Sequence, residues 1–349
     1  MINLAGGRPY HVAFGQLDPD LAALQSSAGI LFVRTALLMQ LTEWGLQESH
    51  LAAVIIFCIS LSGSIGNSFA AISTQRFPSF RNSFGLLLTS QSIAEAVLCL
   101  LFAFFYSPMV FFDIYGMKKF SRHVGIILAM CYDVCILSHL FISLGRMCAI
   151  CFPLEYRSCF STFNTKIFII LTWIAGVTRC LISYEVFDCD FAYDDRVWAF
   201  VFTKTEECKF ISGSIDFFKD IAIVVTIAAV DTVAIVKVHI VHFQSRQRGS
   251  SSLDAKRRKE INFLRQTVLQ GVLFVVELFC YFHLAWKFEN RWITWALTTV
   301  MWNTVHCSDS LIIIGFNAEF RTLIASPKNI FDMKNCVARW RSTATITAS

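Results

Sequence analysis

The stretch Gly145-Arg146-Met147-Cys148-Ala149-Ile150-Cys151-Phe152-Pro153-Leu154-Glu155-Tyr156 decides how this chain is read. It closes a mostly apolar run that begins near Val124, so a guanidinium sits near the end of a long helix and a proline that cannot continue that helix follows at once. At 1.5 Å per residue the run from Val124 to Ile150 spans about 40 Å, the reach of a membrane crossing.

Six further segments of the same kind surround it. The predicted spans are Leu51 to Ile72, Phe84 to Phe105, Val124 to Ile150, Ile167 to Phe187, Phe217 to Val241, Val268 to Ala285 and Ile293 to Phe316. Each is close to the roughly 20 residues needed to cross hydrocarbon as a helix, which pairs its backbone groups internally. The chain is 55% hydrophobic and 16% charged, with a mean hydropathy of +0.56, so it carries more apolar surface than one aqueous core can hide. The fold class expected is an all-α integral membrane bundle of seven helices, and none of the seven spans has a strand pattern. Residues 1–48 read as an extracellular segment, poorly ordered or amphipathic; residues 49–321 read as the transmembrane domain and 322–349 as a cytoplasmic tail. The start shows no signal peptide, and the first span is expected to direct insertion.

Loop charges set the orientation. Lys and Arg crowd the loops after the third and fifth spans and the tail, with Lys256-Arg257-Arg258-Lys259 the densest run. The positive-inside bias then places the amino terminus outside. The loop between the fourth and fifth spans is acidic, carrying Asp188, Asp190, Asp194, Asp195, Glu206 and Glu207. The basic run, beside Ser245 to Ser252, suits anionic lipid and the acidic face of a partner.

Arg146, Ala149, Ile150, Pro153, Leu154 and Tyr156 stand at the spacing that ends the third helix of rhodopsin-like G-protein-coupled receptors. Asp309 followed by Phe320-Arg321, Gly66-Asn67 in the first span and Trp173 in the fourth fit the same frame. The stretch from Gly66 to Arg321 also carries Phe160-Ser161, Asn164-Thr165, Asp231-Thr232, two cysteines in the acidic loop and Lys259-Glu260 through Gln266. With these features it resembles the nematode serpentine receptor class X chemoreceptors. The resemblance implies a chemosensory receptor in the plasma membrane of sensory neurons, often ciliary. Its partners would be a heterotrimeric G protein, an unidentified extracellular ligand and membrane lipid, and it would need no cofactor.

The resemblance also assigns roles. Arg146 ties the bundle shut at its cytoplasmic mouth or, once the helices part, meets carbonyls of an inserted G-protein helix. Pro153, Leu154, Tyr156 and Arg257 face the same partner, and Asn67 and Asp309 form a polar switch toward the second helix. Gly145 departs from the family at the position before Arg146. Ser310 and Ile313 replace the usual Pro and Tyr after Asp309, and the fifth and sixth spans lack their usual prolines. Ser121 stands where many receptors carry a disulfide cysteine, so Cys189 and Cys208, both in the oxidising outer loop, are expected to bridge each other. Most of the 13 cysteines lie inside spans and read as small apolar residues.

Charges inside spans are costly and mark function by default. Glu95, Asp133, Arg179, Asp231, Glu277 and Asp309 are of this kind. Asp133 lies about 20 Å along the helix from Arg146, near mid-membrane. Together with Glu277, Tyr281, Trp302, Asn303 and His306 it forms the candidate small-molecule pocket, set against the plainer reading of helix packing. Asp216, Lys219 and Asp220 read as a local ion-paired turn, and His139 as polar packing. His239 and His242 have ligand spacing but sit at an inner helix end, and no metal is expected.

The chain has no phosphate loop, Gly-x-Ser-x-Gly or His-Glu-x-x-His, and its aromatics are intramembrane, so neither an enzyme nor a nucleic-acid binder is indicated. A transporter or channel using Asp133, Asp231 and Glu277 is the competing class, although the spans lack paired repeats. Within receptors, the acidic outer loop admits a basic neuropeptide as the alternative ligand.

Overall fold

A computed structural model describes residues 47–77, 80–247, 253–317 and 320–321. The bundle lies in the compact unit Ala52–Ser349; of the unit Met1–Leu51, only residues 47–51 are described, and they open the first helix. The sequence assignments for residues 1–46 and 322–349 fall outside the described residues.

The apolar runs form seven helices. These are α1 (Glu48–Arg76), α2 (Ser83–Phe111), α3 (Tyr115–Cys151), α4 (Thr162–Val186), α5 (Glu206–Phe210 through Phe217–Gln247), α6 (Leu253–Phe279 through Ala285–Lys287) and α7 (Arg291–Trp295 through Met301–Phe316). α1 to α6 each contain a stretch long and apolar enough to cross a membrane. α7 instead buries Thr298, Thr299, Asn303, His306, Asp309 and Ser310, a polar stripe suited to facing other helices rather than lipid. Lipid-facing character shows on the outside, where Ile65, Ile170, Phe218 and Leu311 are exposed. The helices overrun the apolar spans because backbone hydrogen bonding continues past the hydrocarbon-length core. α3, for instance, begins at Tyr115 and carries Lys118, Lys119 and Arg122 before its apolar stretch.

Near one end of the bundle several helices widen into π-turns. These are Phe102–Tyr106 in α2, Ile182–Val186 in α4, Ile211–Asp216 in α5, Cys280–Leu284 in α6 and Ala296–Val300 in α7. In α2 the π-turn lies just before Pro108, whose ring would clash with the carbonyl four residues back in a regular α-turn. α5 and α6 lack the prolines usual at such positions, and their π-turns are the interruptions instead.

At the same end sits a feature the sequence reading did not anticipate. The acidic loop forms an antiparallel hairpin, β1 (Phe191–Asp194) with β2 (Ala199–Phe202), in register Phe191 to Phe202 and Asp194 to Ala199. It is a buried plug rather than a solvated flap, with Phe191, Trp198 and Phe200 all in the core. The Tyr106 and Thr299 hydroxyls donate to the Trp198 carbonyl at 2.7 and 3.0 Å, and the Tyr281 hydroxyl donates to the Phe200 carbonyl at 3.2 Å. Trp198 has a left-handed φ of 50°, a conformation an indole residue keeps only when its surroundings hold it. Arg291 covers its ring at 4.6 Å.

A disulfide joins Cys189 to Cys208, with Cα atoms 4.8 Å apart, and closes the hairpin at its base. Ser121 anchors the other side, since its hydroxyl accepts from the Tyr193 backbone N–H at 3.2 Å and donates to the Lys118 carbonyl at 2.6 Å. Gly125, one turn further along α3, lets the strand approach. A Cβ there would overlap the Phe191 carbonyl, whereas nothing lies within 4 Å of one at Gly116. Gly125→Ala is therefore expected to lower thermal stability in detergent by about 1–3 kcal/mol. Gly116→Ala, in the same helix, should be neutral or slightly stabilising; equal midpoints for the two variants would contradict the packing.

Candidate functional site

Below the hairpin a narrow cavity of about 60 Å³ opens between α3, α4, α5, α6 and α7. Its charged wall combines Asp133 (α3), Arg179 (α4), Asp216, Lys219 and Asp220 (α5) and Glu277 (α6). Its aromatic wall combines Tyr132, Tyr281, Phe282 and Trp302 with Phe191 and Phe202 of the hairpin. Phe202, Tyr281 and Phe282 also line a larger hollow of about 370 Å³ rimmed by Asp194, Arg196, Lys204 and Lys209. These three residues therefore separate an outer vestibule from the inner cavity. At the rim, Arg196 pairs with Asp194 at 2.7 Å and holds its carboxyl below the usual carboxylate range.

Asp133 is buried and takes the Arg179 Nε and the Lys219 ammonium, the latter at 2.8 Å. Arg179 turns its Nη1 to both oxygens of Asp216 at 3.0 and 3.1 Å. Lys219 lies 3.6 Å from Asp216 and 3.3 Å from Asp220. Asp216, Lys219 and Asp220 are therefore part of a network spanning three helices rather than the local turn expected from their spacing. Spacing along α5 reveals only the intrahelical part, because the remaining partners come from α3 and α4.

Of the candidate ligand residues, Asp133, Glu277, Tyr281 and Trp302 line the cavity. Asn303 and His306 do not. Asn303 accepts from the Ser60 hydroxyl at 2.6 Å and donates to the Thr299 carbonyl at 3.0 Å. His306 meets Glu95 at 2.6 Å through Nδ1. They belong instead to a polar layer deeper in the bundle, where the Asn67 amide donates to the His306 carbonyl at 3.1 Å and Gln91 donates to Asp309 at 2.9 Å. Asn67 and Asp309 thus share one layer without bonding each other directly. Gln91 also meets His139 at 3.4 Å, and Trp173 donates to Ser90 at 3.0 Å. Glu95, Cys135 and His306 bring three donor atoms within 4.8 Å of one another, a donor set able to hold a metal ion. Their sequence separation gives no ligand-spacing signal, because each comes from a different helix.

At the opposite end a cleft of about 310 Å³ surrounds Arg146, with Phe84, Leu87, Ile142, Tyr156 and Phe160 in its walls. Arg146 donates from Nη1 to the Thr267 hydroxyl of α6 at 2.8 Å and stacks over the Phe84 ring at 4.9 Å. Asp231 of α5 supplies opposite charge nearby. Gly145 has a packing reason, since a Cβ there would stand 3.2 Å from the Phe160 ring. Pro153 opens a short helix, Pro153–Cys159, on which Leu154 is 83% exposed and Tyr156 stacks on Phe160 at 5.7 Å. Arg257 lies on α6, with its side chain outside the described ones. Phe320 is fully buried against Phe69, Phe77 and Phe80.

The profile described as "Serpentine type 7TM GPCR chemoreceptor Srx" matches residues 57–317. Serpentine receptor class X 45 of Caenorhabditis elegans is 30% identical over 299 residues, covering 80% of this chain and 81% of that protein. Serpentine receptor class X-43 of the same organism is 25% identical over 283 residues, covering 78% and 86%. Squid rhodopsin superposes with a TM-score of 0.65 at 14% identity over 79% of this chain and 84% of its own.

Removing one partner from a buried ion network strands the others, which costs about 3–5 kcal/mol. Asp133→Ala should therefore destabilise the detergent-solubilised protein by that order and reduce the folded yield. In a double-mutant cycle Asp133→Ala and Arg179→Ala are expected to be strongly non-additive; additive losses would mean the two side chains do not interact.

Proposed function

The chain belongs to the Srx family of serpentine seven-transmembrane chemoreceptors, a non-enzymatic receptor class, and from that premise we propose that it binds an extracellular small-molecule cue and activates a heterotrimeric G protein. The cue enters past the hairpin into the cavity of Asp133, Glu277, Tyr281 and Trp302. The G protein engages the cleft of Arg146, with Pro153, Leu154 and Tyr156 at its margin and Arg257 on the same side. The amino terminus lies outside the plasma membrane, and the sensory cilium is the site of action.

The observation that carries this reading is the bond from Arg146 on α3 to Thr267 on α6. It ties α3 to α6 beside the cleft, so an inserted helix that parts the two must break it. Both ends of the molecule use the same two helices: Asp133 and Arg146 lie on α3, and Glu277 and Thr267 on α6. A ligand that binds better when α3 and α6 stand apart shifts the population toward an open cleft, and no further coupling is required. Pro153 and Leu154 are already exposed for contact. The narrow cavity under a packed hairpin favours a small cue over a peptide.

Arg146→Ala should abolish cue-evoked G-protein activation while leaving surface expression intact. Thr267→Ala removes a hydrogen bond to a charged group, worth about 1.5–3 kcal/mol, and should raise basal signalling by about tenfold or more. A reporter assay in cells with surface labelling reads both. Unchanged evoked signalling in the Arg146 variant would sink the assignment.

A further inference from the structure

We propose that the inner cavity takes a small organic cation, its ammonium group seated between Glu277 and Asp220 against the aromatic wall. The proposal rests on the reading of this cavity as the ligand site and adds the ligand's chemical class.

Charge bookkeeping around the cavity carries the proposal. Four carboxylates, Asp133, Asp216, Asp220 and Glu277, face two cations, Arg179 and Lys219. Arg179 is committed to Asp133 and Asp216. Lys219 leans to Asp133 at 2.8 Å and is farther from Asp220 at 3.3 Å. Asp220 is 3% exposed, and its Oδ1, the oxygen that faces Lys219, lies outside hydrogen-bonding geometry with it. Glu277 is 4% exposed and accepts from the Tyr132 hydroxyl at 3.4 Å; among the described residues no cation stands within ion-pairing distance of it. Buried carboxylates lacking a full complement of positive charge are unfavourable in a water-poor interior, and an entering cation relieves that imbalance.

The aromatic wall favours the same class. Tyr132, Tyr281 and Trp302 border the space beside Glu277, and aromatic faces attract ammonium groups. A carboxylate ligand would meet surplus like charge, and a neutral one could donate a hydrogen bond to Glu277 without relieving the charge imbalance. The inner cavity fits only a compact head group, so a short tail would pass Phe202, Tyr281 and Phe282 into the vestibule. The bases at the rim do not oppose entry as a block, because Arg196 pairs with Asp194 and Lys209 with Glu206.

Butylamine, butanol and butyrate form a near-isosteric cationic, neutral and anionic series. They would be titrated against the purified full-length receptor in detergent, with thermal unfolding as the readout and Glu206→Gln as a surface control. Butylamine should raise the midpoint progressively with concentration, while butanol and butyrate should not. Glu277→Gln should weaken butylamine about tenfold or more, as loss of a charge-assisted hydrogen bond does, and Glu206→Gln should leave it unchanged. Should Glu277→Gln not accumulate, Asp220→Asn carries the same comparison.

Equal shifts from butanol would mean that the cavity does not select for positive charge, and would overturn the proposal. So would the absence of any butylamine-specific shift, or a shift surviving in the variants. The receptor reading fails separately. Butylamine stabilisation together with signalling indifferent to Arg146 sinks that reading alone, whereas Arg146-dependent signalling evoked by neutral or anionic cues, with no butylamine shift, sinks the cation alone.

Discussion

Asp133 can sit inside a bundle with a lipid-facing surface only because Arg179 and Lys219 reach it from two other helices. That constraint organises one end of the molecule. An acid on α3, a guanidinium on α4 and an ammonium on α5 fix three helices at one level, and the cavity is the space left on their α6 and α7 side. Above it the hairpin excludes water with Phe191 and Phe202, which strengthens each electrostatic contact below.

The deeper polar layer has a different character. Asn67, Gln91, Glu95, His306 and Asp309 link α1, α2 and α7 through single hydrogen bonds and leave several buried atoms unpartnered, among them Asn67 Oδ1, Glu95 Oε1, His306 Nε2 and Asp309 Oδ1. The charged cluster joins α3, α4 and α5, whereas the polar layer joins α1, α2 and α7, so the two networks restrain different sets of helices.

Much of the bundle was legible because lipid imposes a simple rule: a crossing must be a long, mostly apolar helix. The helix ends at Arg146 and Pro153 and the charges worth attention, Asp133, Arg179 and Glu277, were visible for the same reason. Partnership was not. Arg179 stood out as costly, but nothing along the chain says that it joins Asp133 to Asp216, since helix spacing reports neighbours only on one helix. Asn303 and His306 were placed in the pocket with Trp302 because all three lie in the outward half of the seventh span, but one and four positions on from Trp302 their side chains turn into the layer below. The hairpin escaped because Phe191–Asp194 and Ala199–Phe202 are too short for alternation to register, and their burial is imposed by Tyr106, Tyr184 and Tyr281 from three helices.

Gly145 shows how a departure from a family pattern can be explained by packing. Without a side chain there, the Phe160 ring lies against α3 and brings the short helix carrying Leu154 and Tyr156 with it. Arg146 then has no acidic neighbour at position 145. Its contacts include the Thr267 hydroxyl and the face of Phe84, with Asp231 supplying opposite charge from α5. The glycine that fixes the position of the inner loop thus leaves Arg146 in contact with groups from α2, α5 and α6, so its side chain reports the spacing of those helices from α3.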